Sequence, residues 1–274
     1  MPLPSLDYHW RGDQRLKPRI LVLEIKDKER PEAGAIAWLL VEREENYHRN
    51  PIDGTLHDAS IRLTYQRITP KFSSLPSGGG FFAGCYSQRA KAVSITSPTM
   101  GRGFVTLDLP RLNGQYIGTY LMNEVVAWVK QWPDATVNSV ELLENQGNGE
   151  NKERRNRFYE QFGLVFDYAD QEKRAGRSRE MPAADLTTVD KWKANISEHW
   201  VVDYLSEVLL AKEHSEIELQ LRDRACKELA DREKKAAERP IRWAMRKVGY
   251  RLEAQLPSLL VLAALGVFLW VKLG

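Results

Sequence analysis

The sequence has little cysteine and no large excess of either charge. Cys85 and Cys226 are the two cysteines in 274 residues and lie far apart, which excludes a disulfide framework and a cysteine-rich zinc site. The 40 Lys and Arg residues nearly balance the 37 Asp and Glu residues, so the net charge is only +3. We therefore expect no nucleic acid among the partners, although local basic patches remain compatible with one.

Histidines are few as well, and the sequence predicts no metal site. The five histidines show no close metal-binding spacing; they are His9, His48, His57, His199 and His214. The first ten residues lack a basic start followed by an apolar run, so no signal peptide is predicted. What the sequence does contain is a hydrophobic fraction of 43%, which excludes a wholly disordered chain. The length predicts about two domains, or one domain with appendages.

One long hydrophobic run stands out near the C-terminus. Residues 254–271, AQLPSLLVLAALGVFLWV, are 18 residues without a charge. As a helix they would extend about 27 Å, which spans a thin bilayer core. Five basic residues and no acid precede them in residues 239–251. Such a flank stays on the cytoplasmic side and attracts anionic lipid.

We therefore predict a single-pass, tail-anchored membrane protein. Its transmembrane helix is placed over residues 254–272, within the lipid bilayer, and everything before the anchor is expected to face the cytoplasm. Apolar side chains cover every face of this segment without one-sided patterning. This favours a membrane helix over the alternative, which is a buried C-terminal helix.

Alternating apolar and polar residues predict a series of strands in the first part of the chain. Residues 33–43 fit a strand or a short helix, and Gly34 weakens the helical interpretation. A run of three glycines after Pro76 places residues 73–84 in a loop. The remaining strands are predicted at residues 19–26, 60–67, 90–96 and 103–109.

A helix and further strands follow. Apolar residues recur at helical spacing over residues 117–131, so an amphipathic helix is predicted there, ending before Pro133. A helix of this length bridges parallel neighbours, so the strands at 103–109 and 137–143 are expected to pair in parallel. The mixed α/β sheet that results ends near residue 170. It is completed by a charged helix at 151–162 and a short strand at 164–168.

The composition changes after about residue 183. Charge is dense and glycine is absent from residues 183–238, and apolar residues follow an uneven helical spacing. We interpret this part as a helical stalk. Its heptads are too irregular to predict a coiled coil, although it is where two copies would pair in a homodimer. The predicted organisation is an N-terminal arm at 1–18, a domain at 19–170, the stalk with its basic segment at 183–253 and the anchor at 254–272.

The segment LDLPRLNGQYIGTYL, residues 107–121, carries the clearest chemical signal. A strand ends at Pro110, a glycine-containing loop follows, and a helix begins with Ile117, Gly118 and Thr119. The N-terminus of a helix presents unpaired backbone N–H groups and the positive end of the helix dipole. Such a turn suits a pyrophosphate group, although a strand, loop and helix with two glycines is commonly a simple connection.

A second segment, RNRFYEQFGLVF, places Tyr159 on a helix four residues before Gly163. Together the two segments resemble the GNAT superfamily of acyl-coenzyme-A-dependent N-acetyltransferases. In that family a pattern like P-x-x-R/Q-G-x-G-x-G/A precedes one helix, and a pattern like L-Y-x-x-x-G-F lies on a later one. The matching residues are Pro110, Gly114 and Gly118 in the first pattern and Phe158, Tyr159, Gly163 and Leu164 in the second.

The resemblance covers about residues 19–170 and implies a fold, a cosubstrate and a site. The implied fold is a mostly antiparallel, twisted mixed sheet with flanking helices, and the cosubstrate is acetyl-coenzyme A. Tyr159 takes the position of the family's acid, which protonates the leaving thiolate. Backbone N–H groups around Asp108 and Leu109 would polarise the thioester carbonyl, and Asp108 is the expected base. Glu141 and Glu144 are the alternative bases.

The same resemblance implies which residues bind the coenzyme, and two of them depart from the family pattern. Tyr116 stands where the first core glycine is usual, and Asn113 stands where the family has Arg or Gln. The side chain of Tyr116 would point outward, donate a hydrogen bond to phosphate or block the site. The expected coenzyme-binding residues are Leu109, Asn113, Gly114, Gln115, Tyr116, Ile117, Gly118 and Thr119.

The expected function is transfer of an acetyl group from acetyl-coenzyme A to an amine, by direct attack, at a membrane. The acceptor is an amine-bearing small molecule or protein. One alternative is a GNAT-fold binding or scaffold protein that has lost turnover, which the departures at Asn113 and Tyr116 motivate. A third possibility is a structural membrane protein whose stalk recruits partners.

Overall fold

The structure is a computed structural model that describes most of the chain. It describes residues 9–11, 14–17, 19–68, 74, 78–101, 103, 105–144 and 151–238, and also residues 240, 241, 244, 245 and 248. The chain divides into two compact units, Met1–Ser206 and Glu207–Gly274.

The described residues form short and long strands, three α-helices and two short 3-10 turns. The strands are β1 His9–Arg11, β2 Gln14–Leu16, β3 Ile20–Asp27, β4 Arg30–Arg49, β5 Leu56–Ile68, β6 Gly79–Ser87, β7 Ala92–Ser94, β8 Thr136–Val137, β9 Glu141–Leu142, β10 Phe166–Tyr168, β11 Gly176–Ser178 and β12 Ile196–Trp200. The helices are α1 Ile117–Val129, α2 Asn151–Glu160 and α3 Val201–Glu238. The 3-10 turns occupy Ala183–Asp185 and Lys191–Ala194.

A large sheet organises the first unit. Within the described residues it has seven strands in the order β12-β3-β4-β5-β6-β7-β8, and all neighbours are antiparallel except β7 and β8. A second, antiparallel sheet has the order β10-β11-β9, and β1 pairs with β2. The protein is therefore a mixed α/β protein with a large, mostly antiparallel sheet, as the sequence predicts.

The helix α1 covers one face of this sheet. Alternate residues of β5 from Ala59 to Tyr65 are at most 2% exposed, because successive side chains of a strand point to opposite faces. The α1 residues Leu121 and Val125 are fully buried against this face. Gly84 of β6 lets the helix come close, since a Cβ at that position would lie 2.7 Å from Cγ1 of Val125. The core therefore lies between α1 and the sheet.

Most predicted elements are confirmed, and the segment around the three glycines is a correction. The ambiguous residues 33–43 belong to β4. Residues 79–87, whose first part was expected to be a loop, form β6. Glycine is suited to this strand because neighbouring groups leave no space for a side chain. A Cβ on Gly80 would lie 2.7 Å from the hydroxyl of Tyr65.

The parallel strand–helix–strand unit exists, but its first strand is β7 and not residues 103–109. Residues 103 and 105–109 form no strand. Their apolar alternation comes from packing, since Leu109 is 2% exposed. The Tyr65 hydroxyl accepts the N–H of Asp108 at 3.2 Å and donates to the carbonyl of Thr106 at 3.2 Å. The hydroxyl of Tyr65 therefore bonds the backbone of Thr106 and Asp108, in a segment for which the sequence predicts pairing with a neighbouring strand.

The sheets also continue past residue 170, with β11 and β12. The helix expected from about residue 183 begins at Val201, because β12 first returns to pair with β3. Among the described residues, no helix is both long enough and apolar enough to cross a membrane. The predicted anchor at residues 254–272 lies outside the described residues.

Candidate functional site

The first turn of α1 has no side-chain cap. Tyr116 precedes the helix in a left-handed conformation, with φ 58° and ψ 10°, and no side chain caps the helix there. The N–H of Tyr120 makes the bond to the carbonyl of Tyr116, at 2.9 Å. The N–H groups of Ile117, Gly118 and Thr119 therefore point out of the helix start, with the positive end of the dipole behind them. This arrangement is suited to a phosphate.

Gln115 fixes the turn before α1 against the β3–β4 hairpin. Its Oε1 accepts the N–H of Lys28 at 2.9 Å, and its Nε2 donates to Asp27 at 3.3 Å. The amide group of Asn195 donates to the carbonyl of Gln115 at 3.1 Å. Gly114 adopts φ 81°, a left-handed conformation that glycine takes without steric strain. The helix start is therefore held in place by contacts from two distant parts of the chain.

Lys28 brings a positive charge to this turn. Its Nζ lies 5.9 Å from the ring centroid of Tyr116 and 3.7 Å from the position that a Cβ of Gly114 would take. Asn113, which stands where the family has Arg or Gln, is exposed. Lys28 thus supplies a positive charge near a turn that has Asn113 at the position where the family pattern has Arg or Gln. No local motif predicts Lys28, because this residue reaches the turn through tertiary structure.

The remaining residues of the expected coenzyme turn also pack against the fold. Ile117 and Thr119 are buried, and Oγ1 of Thr119 accepts a hydrogen bond from Nε2 of Gln161 at 3.2 Å. A Cβ on Gly118 would lie 3.4 Å from Cε2 of Phe158. Because Gly118 has no side chain, the ring of Phe158 on α2 can pack beside the uncapped first turn of α1.

Tyr159 of α2 lies in the core. Its side chain is 6% exposed, and its ring packs against Phe158 and Phe166. Burial raises the pKa of Tyr159 to about 12, against the opposing effects of Arg155 and of a hydrogen bond that the hydroxyl accepts from the N–H of Val105. The phenol is protonated at neutral pH, as a general acid must be.

Asp108 and Leu109 lie in the irregular segment that leads to the turn. The side chain of Asp108 is exposed, and its N–H is bonded to Tyr65. Leu109 is buried, and Gly78 packs so closely against the backbone of Asp108 that a Cβ on Gly78 has no room. The structure therefore brings this backbone against the sheet, while the carboxylate of Asp108 faces solvent.

The parallel strands β7 and β8 part after two residue pairs, and β9 then joins the second sheet. We call the space where they part the β7–β9 gap. Residues of the connection from β7 to α1 lie at this gap. The side-chain amide of Asn138 donates to the carbonyl of Met100 at 3.1 Å, and Gly103 packs directly against the carbonyl of Thr96. The connection from β7 to α1 thus contacts residues on both sides of the β7–β9 gap.

The other residues considered for chemistry are exposed to solvent or unreactive. Glu141 and Glu144 are exposed, and the carboxylate of Glu144 lies 3.7 Å from Arg174. Burial raises the pKa of the Cys85 thiol to about 11, which keeps it protonated near neutral pH. Within the part of the chain that the structure describes, no cluster of three His, Cys, Asp or Glu residues is arranged to hold a metal ion.

A partly buried ionic network, which the sequence did not predict, connects α1 to its neighbours. Glu124 of α1 lies between two cations, with Nζ of Lys17 at 2.8 Å and Nη1 of Arg43 at 2.5 Å. Arg43 also pairs with Glu45 at 2.6 Å, and Lys17 with Glu198 at 2.5 Å. Three carboxylates and two cations thus connect the arm, β4, α1 and β12.

The pKa values of Glu124 and Lys17 in this network depend on their ion-pair partners. Burial disfavours the ionised form of Glu124, but Lys17 and Arg43 outweigh it and lower the pKa of Glu124. Burial likewise disfavours the charged form of Lys17, and Glu124 and Glu198 outweigh it and raise the pKa of Lys17. The hydroxyl of Tyr120 donates to Glu198 at 2.6 Å. A signal for the network existed in the sequence, since Tyr120 and Glu124 interrupt the apolar face of the predicted helix at i and i+4.

Comparison with known proteins returns no match, whether against family models, curated proteins or solved structures. We therefore infer the function from the geometry of α1 and from the motif resemblance.

Proposed function

We propose that the first unit binds acetyl-coenzyme A at the N-terminus of α1 and transfers the acetyl group to an amine. The observation that carries the proposal is the uncapped first turn of α1 near Lys28, on a helix that joins two parallel strands which then part. Backbone N–H groups and an ammonium group together match the charges of a diphosphate. The choice of acetyl-coenzyme A rests on the motif resemblance to N-acetyltransferases.

The proposed reaction is direct attack of the amine nitrogen on the thioester carbonyl. A C–N bond forms and the C–S bond breaks, so the acetyl group moves without a covalent enzyme intermediate. Asp108, exposed near the turn, is the proposed base that takes the amine proton. Tyr159 is the proposed acid that protonates the departing thiolate, and its protonated state at neutral pH supports this role. The acceptor is an amine on a small molecule or a protein.

One feature favours a second candidate function, which is binding without turnover. The connection from β7 to α1 contacts the β7–β9 gap through Met100 and Gly103, and Val105 bonds the hydroxyl of Tyr159. In the family mechanism the acyl group is polarised where the parallel strands part. A chain segment that stays in this gap would keep the thioester away from that backbone. The protein would then be a GNAT-fold binding or scaffold protein.

Calorimetric titration of the full chain with acetyl-coenzyme A, in mild detergent, tests the binding site. We expect micromolar binding. Replacing Lys28→Met removes the proposed phosphate cation and should weaken binding about tenfold, which corresponds to about 1.4 kcal/mol. The matched control is Lys26→Met on the same hairpin. The ammonium of Lys26 lies 3.9 Å from Glu24, so this change should leave the affinity unaltered.

The two candidate functions separate in a second measurement, the release of free coenzyme A thiol with a panel of primary amines. Binding with amine-dependent thiol release supports the transferase. Binding without release supports the second candidate. No heat of binding at millimolar acetyl-coenzyme A would contradict both.

We also propose that residues 254–272 anchor the protein in a membrane, with the preceding chain in the cytoplasm. The support is the uncharged run of 18 residues and the basic flank at 239–251.

A further inference from the structure

Asn195 connects the two parts of the chain that form the proposed diphosphate site. It follows the second 3-10 turn, directly precedes β12 and is only 2% exposed. Its Nδ2 donates to the carbonyl of Gln115 at 3.1 Å, and Gln115 directly precedes the left-handed Tyr116 at the start of α1. The same Nδ2 donates to the carbonyl of Lys26 at 3.0 Å. One amide group therefore bonds both the turn before α1 and the strand β3.

The backbone of Asn195 and the side chain of Gln115 complete this connection. The carbonyl of Asn195 accepts the N–H of Lys26 at 2.8 Å. The Oε1 of Gln115 lies 3.4 Å from Nδ2 of Asn195 and accepts the N–H of Lys28 at 2.9 Å. Together these bonds fix the hairpin that carries Lys28 relative to the turn before α1.

The other end of the Asn195 amide has no partner. Within the part of the chain that the structure describes, Oδ1 of Asn195 is buried and accepts no hydrogen bond. A reversed amide would place this oxygen against the carbonyls of Lys26 and Gln115, so the partners of Nδ2 fix the orientation. A buried acceptor without a partner destabilises the folded state, and such groups are rare. The Asn195 side chain thus acts only as a donor, which is a departure from optimal packing of the kind that functional sites show.

We propose that Asn195 is a positioning residue for binding of the coenzyme diphosphate, an inference that rests on the proposed function of the α1 turn. Asn195 holds the hairpin of Lys28 against this turn, so that the Lys28 ammonium and the N–H groups of α1 bind one diphosphate together. The lysine side chain is long and flexible, and fixing its backbone reduces the freedom that it loses on binding. Asn195 therefore raises the affinity for the coenzyme through Lys28.

A double-mutant cycle, measured by calorimetry on the full chain in mild detergent, tests this coupling. Asn195→Ala should weaken binding of acetyl-coenzyme A about tenfold, as Lys28→Met should, because each variant removes the fixed ammonium. The double variant should bind at most about twofold more weakly than Lys28→Met alone. Unchanged affinity in Asn195→Ala would overturn the proposal. Additive losses would overturn it as well, because Asn195 would then act independently of Lys28.

The matched control is Asn123→Ala, which removes another buried amide. The Oδ1 of Asn123 on α1 accepts the N–H of Val189 at 2.7 Å, so this amide joins the helix to the chain before the second 3-10 turn. The control should unfold at lower denaturant concentration than the parent protein and keep its affinity for acetyl-coenzyme A. Equal losses of affinity in both variants would show that a general loosening of the fold is the cause, and would contradict the proposal.

Hydrogen exchange without coenzyme separates this inference from the proposed function. In Asn195→Ala, exchange should become about tenfold faster in residues 26–30 and in residues 116–121, because the hairpin and the turn lose their common restraint. Asn123→Ala should leave residues 26–30 unchanged. A parent protein that binds no acetyl-coenzyme A would contradict the proposed function, and exchange would still show whether Asn195 couples the two segments. Parent-like exchange in residues 26–30 of Asn195→Ala would overturn the positioning role.

Discussion

The hydroxyl of Tyr159 accepts a hydrogen bond from the N–H of Val105 inside the core. This contact places a protonated phenol beside the segment that enters the proposed coenzyme turn. The same hydroxyl therefore has a structural role and a proposed chemical one, and a single substitution can separate them by its effects on different measurements.

The change Tyr159→Phe removes only this hydroxyl. We expect kcat for thiol release to fall by about 100-fold or more, because general acid catalysis contributes on that scale. The affinity for acetyl-coenzyme A should change by less than about twofold, a small fraction of 1.4 kcal/mol. Loss of the hydrogen bond should lower the free energy of unfolding by about 1 kcal/mol. Unchanged kcat together with this stability loss would show that Tyr159 is purely structural.

At this scale the sequence predicts what is local and misses what is brought together by folding. The sequence singles out Tyr159 and Gly118 because their spacing to neighbouring residues follows a motif, and their roles stay predictions. Lys28 was missed because its contact with Gly114 and Tyr116 depends on how the β3–β4 hairpin packs. The packing of Phe158 against Gly118 was missed for the same reason.

At the scale of elements, α1 is fixed to the sheet both by apolar packing and by the Glu124 network. The sequence predicted the helix well, since its apolar spacing is local information. It misplaced the strand before the helix, because the alternation in residues 103–109 reflects packing against Tyr65 and not strand pairing. It also placed residues 79–84 in a loop, since strands rarely contain several glycines.

The change Glu124→Gln keeps the size of the side chain and removes the charge between Lys17 and Arg43. We expect the free energy of unfolding at pH 7 to fall by about 1–3 kcal/mol, because Arg43 and the part-exposed Lys17 lose a shared carboxylate while each keeps one other acidic partner. The pKa of Glu124 is lowered by folding, so its contribution is present above the unfolded pKa of about 4.3 and is lost as pH falls through the folded pKa. Denaturant unfolding from pH 7 to pH 3 measures this.

The control for this prediction is Glu44→Gln, which breaks a more exposed ion pair with Arg19. Exposed pairs contribute about 0–1 kcal/mol, so this variant should unfold nearly like the parent. The stability difference between the parent and Glu124→Gln should shrink as pH falls. A difference that stays constant across the pH range would mean that the charge of Glu124 is not the cause.

At the scale of the whole molecule, the proposed anchor determines where the protein resides. Deletion of residues 254–274 should move most of the protein from the membrane pellet to the soluble fraction, because the uncharged run is removed. Fractionation of cells expressing either form measures this. If the truncated protein still sediments with membranes, the basic segment at 239–251 or a partner holds it there.

The strand β12 closes the large sheet by pairing with β3, which is made near the beginning of the chain. Ribosomes add about 5–20 residues per second, so the edge of β3 stays uncovered for on the order of 10 seconds while residues 28–195 are synthesised. An open strand edge pairs readily with strands of other chains. Each round of translation of this protein therefore includes an interval of aggregation risk that ends only once Trp200 has left the ribosome.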